Sequence, residues 1–264
     1  MTTKKQKFLS QVSEKAKELG GRIEELKRSI GSKTPDEDVR SKPVNEQVYR
    51  ELPPPKAMSM PLTDALNARQ SHRTFSDEPL TDLDLGTILW AADGINRPDG
   101  RKTTPSALNW QEVSIYCLKA NGTWVYEPSK HALRFISLED IRHSSIIAQP
   151  MIKVAPVQLV LVADKRKTDG LWTKVGRKVV ESFKPGSWTP ERLEETLTRS
   201  MTIDAAVKIQ SIYLAAAALN IGCVARTGFD QALLKRVMPL DEHQVPIACV
   251  TLGYKAKTIV DTIS

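Results

Sequence analysis

Apolar positions along the chain change their spacing several times, and each change marks an element. Between residues 4 and 30, Phe8, Val12, Ala16, Leu19, Ile23, Leu26 and Ile30 recur at steps of three and four, with Lys, Glu and Arg on the other side. That pattern predicts an amphipathic helix, with heptad spacing from Ala16 onward. Gly20-Gly21 weakens it by about 1 kcal/mol per glycine relative to alanine. It reads either as a loosely packed tail helix or as a helix laid across a neighbouring subunit. The run Pro53-Pro54-Pro55, within a stretch rich in Ser, Asp and Lys, predicts a stiff extended linker. Residues 1–60 are therefore expected to form a helix and linker ahead of a compact part, residues 61–264.

In the compact part, residues 62–70 predict a helix that Ser59 or Thr63 could cap, and Thr81 opens a second helix closed by Gly94. Residues 112–118 and 123–127 alternate as strands around Asn121-Gly122, a strong hairpin-turn signal. The apolar run of residues 157–163 predicts a central strand, and residues 221–225 and 245–253 two more. Residues 204–219 predict a helix whose Ala215–Ala218 run permits close packing. Residues 165–200 are polar and basic, and they read as a lid-like insertion carrying Trp172, Phe183 and Trp188. Five strands wrapped by helices make an α+β domain, because hairpins break the βαβ rhythm of a doubly wound sheet.

Composition removes several function classes. Apolar residues at 41% and charged residues at 26% are globular values. No run of about 18 apolar residues exists to span a membrane, and the first thirty residues lack an apolar signal-peptide run. Cys117, Cys223 and Cys249 have no disulfide or metal-type spacing, which excludes a zinc module and fits a reducing cytoplasm. The net charge of +7 is concentrated in residues 1–50 (twelve basic against eight acidic) and residues 165–200 (nine against five). A body otherwise neutral and without a recognisable module does not point to nucleic acid.

Candidate chemistry is sparse. His72, His131, His143 and His243 are scattered, and no nucleophile elbow, metalloprotease or phosphate-loop motif occurs. An enzyme built this way takes its reactive centre from a cofactor. The one suggestive segment is Arg69-Gln70-Ser71-His72-Arg73-Thr74-Phe75: two guanidiniums four apart, with an amide and a hydroxyl between, can surround a phosphate. An isolated pair of that spacing also serves as a solvated basic turn.

Three motifs in order change the weighing. Arg69–Phe75 is similar to R-[RH]-S-x-[RK]-x-F. Leu89-Trp90-Ala91-Ala92 with Gly94, followed by Thr104-Pro105-Ser106-Ala107-Leu108-Asn109-Trp110-Gln111, is similar to W-A-A-x-G and P-S-[AS]-x-N-x-Q. Ala215–Gly222 and then Ala225-Arg226-Thr227-Gly228-Phe229-Asp230, with a closing Leu252-Gly253-Tyr254, is similar to an alanine-rich helix, a G-[LI]-G step and a G-F-D end. Together they make residues 61–257 resemble the FMN-dependent nitroreductase family, particularly its thiazole/oxazole-type dehydrogenase branch.

The resemblance implies a mixed or antiparallel five-stranded sheet in an intertwined homodimer, with FMN at the dimer interface. By the same resemblance Arg69, Ser71 and Arg73 would hold the FMN phosphate and ribityl chain, with Gln70 near the ring. Pro105, Ser106, Ala107 and Asn109 would come from the partner subunit. Thr227 and Gly228 would lie beside the flavin, and Lys255 would add a phosphate cation. Thr227 replaces an acidic residue of many members, and Arg226 a smaller or apolar one. Arg226 would then either stabilise charge on a substrate or point outward and pair with Asp230. The implied activity is a ping-pong cycle in which NAD(P)H reduces the flavin and the flavin reduces a small nitroaromatic or quinone-like acceptor. Alternatives are a dehydrogenase or oxidase for a peptide-derived substrate, and a catalytically quiet flavin-binding protein.

Overall fold

Seven segments lie side by side as β1 (Tyr49–Glu51), β2 (Val113–Lys119), β3 (Gly122–Glu127), β4 (Ala132–Ser137), β5 (Val157–Asp164), β6 (Ile221–Arg226) and β7 (Gln244–Tyr254). Their spatial order is β1-β4-β3-β2-β5-β7-β6, and every pairing is antiparallel. The computed structural model describes residues 48–145, 154–169 and 189–256, with positions 174, 178 and 186. The three long stretches fall within the unit Gln47–Ser264. The helix expected over residues 4–30, and Trp172, Phe183 and Trp188, lie outside the described residues.

Alternation along the central strand β5 divides the core. Leu159 and Leu161 join Val250 and Leu252 against the helices on one face, while Val160 and Val162 join Cys249, Leu234 and Met238 on the other. Both faces are covered, which is why residues 159–163 are apolar without interruption. The helical layer contains α1 (Leu62–Ala68), α2 (Asp82–Asp93) and α3 (Pro190–Ala218); α4 (Gln231–Val237) supplies Leu234 to the other face. Thr81 caps α2 through the Asp84 N–H, as its place ahead of the apolar run predicts. No helix among the described residues is long and apolar enough to cross a membrane.

Several expectations are corrected. The sheet has seven strands rather than five, and it is antiparallel throughout rather than mixed. The apolar pattern of β4 is interrupted by Arg134, and β1 has only three residues; β1 owes its strand state to pairing with β4, whose Phe135 N–H reaches the Val48 carbonyl at 2.9 Å. Helix α3 begins at Pro190, fourteen residues before the expected start. Thr189 accepts the Arg192 N–H, Pro190 takes the first helical position and Glu191 sits in the first turn. The charged composition of this first half masked its stripe, Leu193, Leu197 and Met201 at steps of four. Helix α1 enters through Pro61 without a side-chain cap, so neither Ser59 nor Thr63 serves. Gly94 ends α2 with extended backbone rather than a left-handed turn, and it is glycine because a Cβ there would run into the Trp90 ring.

The Thr189 cap anchors the longest helix. Replacing it, Thr189→Ala, is expected to lower stability by about 1 kcal/mol, and Thr189→Ser to cost at most a few tenths. Urea unfolding of the three proteins checks this.

Candidate functional site

The first half of the site grows from the end of α1. The Arg69 N–H closes that helix on the Ala65 carbonyl, and extended backbone at Arg69 turns the chain along the open edge of β6. There the His72 N–H bonds the Cys223 carbonyl at 2.9 Å, and Phe75 bridges to Lys255. This close approach is possible because residue 222 is glycine. A Cβ there would lie 2.9 Å from the His72 ring, 3.0 Å from the Phe75 ring and 3.1 Å from the Gly253 carbonyl.

Tyr213 of α3 ties this segment to β6. Its hydroxyl takes the Ala225 N–H at 2.8 Å and lies 3.1 Å from the Ser71 Oγ, while the Arg69 guanidinium sits 5.5 Å above its ring. Arg73 folds back on the Ser71 carbonyl at 3.2 Å, and Lys255 Nζ donates to Asn220 Oδ1 at 2.8 Å. Gln70 and Lys255 line one narrow slot with His72, Tyr213 and Cys223. The structure thus brings Arg69, Gln70, Ser71, Arg73 and Lys255 together around Tyr213 and β6. Among the described residues no carboxylate pairs with Arg69, Arg73 or Lys255. Three uncompensated cations with a hydroxyl and an amide make an anion site.

The second half is the loop that carries Pro105, Ser106, Ala107 and Asn109. Leu108, Asn109 and Gln111 all have left-handed backbone, with φ of 47°, 56° and 51°. Such conformations cost free energy in non-glycine residues and persist where the surroundings impose them. Here Ser106 Oγ accepts the Gln111 N–H at 3.0 Å, and Asp204 Oδ2 of α3 accepts the Ala107 N–H at 2.8 Å. Pro105, Leu108 and Asn109 are thereby displayed to solvent.

These two halves are held from different faces of one helix. Asp204, which holds the loop, and Tyr213, which holds the cations, are nine residues apart on α3. Two and a half turns put them on opposite faces, about 13 Å apart along the axis. Thr227 and Gly228 lie exposed just past β6, where a Cβ on Gly228 would meet nothing within 4 Å. From Cys223 to Gly228 the chain can reach about 16 Å, so β6 leads from the cation cluster to that open backbone.

Arg226 is buried rather than turned outward. Its guanidinium reaches Gln158 Oε1 at 2.9 Å and Thr251 Oγ1 at 3.4 Å, and burial pushes its pKa down. Asp230 is engaged elsewhere, capping α4 through the Leu233 N–H at 2.8 Å.

Sequence reasoning missed Tyr213 and the charges under the loop. Tyr213 has no marker beyond its place in a helix. Lys208 does have one: it interrupts the core stripe Met201, Ala205, Ile212 and Ala215 with a charge.

A model of the nitroreductase family matches residues 66–254 of this chain. The chain belongs to the nitroreductase family. A nitroreductase-like protein of Methanocaldococcus jannaschii is 25% identical over 214 residues, covering 78% of this chain and 96% of that one. Among solved structures, a nitroreductase-like protein of Ralstonia eutropha is 27% identical with a TM-score of 0.67, over 80% of this chain and 90% of its own. A chain of the E. coli microcin synthetase McbBCD complex, solved with a truncated pro-peptide bound, shares the fold. It has a TM-score of 0.57 at 14% identity, over 72% of this chain and 70% of that one. The family resemblance read from the three motifs is confirmed, and the α+β nitroreductase fold with it.

The Gly222 contact is testable. Gly222→Ala should push the 71–75 segment off β6 and cost about 1–3 kcal/mol by overpacking. Urea unfolding measures that cost, and hydrogen exchange at the His72 amide should quicken with it.

Proposed function

We propose that this chain is an FMN-dependent oxidoreductase working as a homodimer. The observation that carries the reading is the set of uncompensated cations, Arg69, Arg73 and Lys255, gathered beside Ser71 in a nitroreductase-family chain. The donor set fits the group: a phosphate dianion supplies the charge that this cluster lacks, and guanidinium forks match its oxygens. Arg69, Ser71, Arg73 and Lys255 would hold the phosphate end, with Gln70 near the ring. Thr227 and Gly228 would present open backbone at the far end of β6. Bound FMN would supply two-electron chemistry, accepting electrons from NAD(P)H and passing them to a small nitroaromatic or quinone-like acceptor in alternating half-reactions.

The geometry of α3 supports a second copy. Because the cations and the Pro105–Asn109 loop occupy opposite faces of that helix, one chain's loop serves the other chain's cations. Leu62 and Leu66 of α1, Ile203 of α3 and Leu108 of the loop are exposed apolar side chains consistent with such packing. Arg226, bound inside the sheet, holds the strand end in place. Cys117, Cys223 and Cys249 are buried free thiols, which fits a reducing cytoplasm.

Three outcomes test the reading. The protein reconstituted with FMN should be yellow, and Arg69→Ala or Arg73→Ala should weaken FMN binding by about 10–100-fold through loss of a charge-assisted hydrogen bond. Initial rates with NADH or NADPH and a quinone should give parallel double-reciprocal lines. Finally, Arg73→Ala and Asn109→Ala proteins, each deficient alone, should recover FMN binding in about a quarter of sites after subunit exchange. A protein that stays colourless with added FMN sinks the proposal.

A further inference from the structure

Beneath the Ser106–Gln111 turn lies a cluster of five ionisable side chains: Asp93 at the end of α2, Lys102 and Glu112 flanking the loop, and Asp204 and Lys208 on α3. Asp93, Glu112, Asp204 and Lys208 are all buried, Glu112 completely. Lys102 Nζ donates to both Asp93 oxygens at 2.9 Å, while Lys208 bonds Asp93 and reaches Thr104 Oγ1 at 3.3 Å. Asp204 Oδ2 is committed to the Ala107 N–H. Glu112 stands apart: neither of its carboxyl oxygens makes a well-formed hydrogen bond, and the acid that acts on it is the Asp204 carboxyl.

Two carboxylates cannot face one another in the interior, both charged and with no donor between them. The charge count leads to the same place. Lys102 and Lys208 balance Asp93 and Asp204, so a charge on Glu112 would be an uncompensated buried anion. A proton on Glu112 removes both problems at once, supplying the missing donor and cancelling the surplus charge.

We propose that Glu112 is a positioning acid for the strained turn. In its protonated form the carboxyl donates its O–H to Asp204, and Asp204 so held keeps its other oxygen on the Ala107 N–H. When the proton leaves to solvent, Glu112 and Asp204 repel, the Ala107 bond loosens and the left-handed residues Leu108, Asn109 and Gln111 are released. The consequence for cofactor affinity rests on the function proposed above; the state of the turn does not.

The surroundings agree. From β5, the Asp164 N–H binds the Glu112 carbonyl at 3.0 Å, but the Asp164 carboxylate is turned to Arg166. The Lys167 ammonium bonds the Gln111 carbonyl at 3.2 Å, and the Tyr126 hydroxyl on β3 is engaged with His131 Nδ1 at 2.9 Å. Burial pushes the Glu112 carboxyl up to about 7, the Asp204 charge pushes the same way, and its own backbone N–H and Lys208 oppose them. The folded value is raised above the ordinary 4.5. The stabilisation from protonated Glu112 is therefore complete below about 4.5 and is lost as pH rises through about 7.

The test uses the full chain and its Glu112→Gln variant, whose amide donates to Asp204 at every pH. In wild type, carboxyl NMR should show Glu112 titrating near 7. Exchange of the Ala107 amide, corrected for its intrinsic pH dependence, should be about tenfold faster at about pH 8.5 than at about pH 5.5. Glu112→Gln should show slow exchange at both. Titration of Glu112 in the ordinary carboxyl range, pH-independent protection of Ala107 in wild type, or an unchanged step in Glu112→Gln would each overturn the proposal. If the variant does not fold, the wild-type titration and exchange decide alone. FMN affinity should fall over the same step in wild type and stay level in the variant. Absence of FMN binding at every pH would overturn the cofactor reading and leave the exchange result standing.

Discussion

An ammonium group in the interior of a protein must find a carboxylate, and Lys208 finds Asp93. That pair joins the core face of α3 to the last residue of α2, and Lys102 and Thr104 join it from the loop just beyond. Burial pushes the Lys208 pKa down while Asp93 holds its charge in place. Removing Asp93 would leave Lys208 buried without a carboxylate, at about 3–5 kcal/mol, whereas Asp93 without Lys208 keeps Lys102. The chain leaving α2 therefore has little choice of path. It must pass over α3 beside Asp204, where the Ala107 N–H is caught and the next residues are wound into left-handed backbone.

The same helix carries a second and different fixture on its opposite face. Tyr213 is amphipathic: its ring lies under the Arg69 guanidinium, while its hydroxyl joins β6 and Ser71. One face of α3 thus ends in a balanced cluster of buried charges, and the other in a cluster of cations without acids. Balance and imbalance have different uses. The neutral cluster stores no affinity for a ligand and serves to shape a loop. The unbalanced one has, among the described residues, no carboxylate partner, the property on which the proposed anion site rests. Their placement on different faces of α3 is the physical ground on which the two-chain site is proposed.

Much of this was legible from residue patterns. The core strands β2, β3, β5, β6 and β7 follow their apolar runs to within a residue or two, because burial on one or both faces dictates composition directly. The cation cluster was legible only in company: Arg69 to Arg73 alone reads as well as a solvated basic turn, and the two motifs further on decided between them. What escaped was decided by partners distant in sequence. Strand β1 exists because β4 offers it an edge. The first half of α3 was hidden by charges, although Thr189-Pro190-Glu191 announces a helix start by capping chemistry alone. Glu112 looks like the polar head of a strand; nothing nearby in sequence shows that Asp204, ninety-two residues on, will face it.

Arg226 shows how a departure from the family pattern can act without touching a ligand. Strands β5, β6 and β7 contribute Gln158, Arg226 and Thr251 to one face of the sheet, and Gln158 Oε1 accepts from both neighbours, at 2.9 Å from Arg226 and 2.7 Å from Thr251. A guanidinium so placed loses hydration, which is why its pKa falls, and it regains stability only through fixed hydrogen bonds. The strand end is thereby fastened at the residue before Thr227, while Thr227 and Gly228 themselves remain open. A flexible end would have to be ordered whenever a ligand approached that backbone, at about 1–2 kcal/mol per residue. Fastening Arg226 inside the sheet meets part of that cost during folding, so the unusual cation contributes by holding the backbone still rather than by lending its charge.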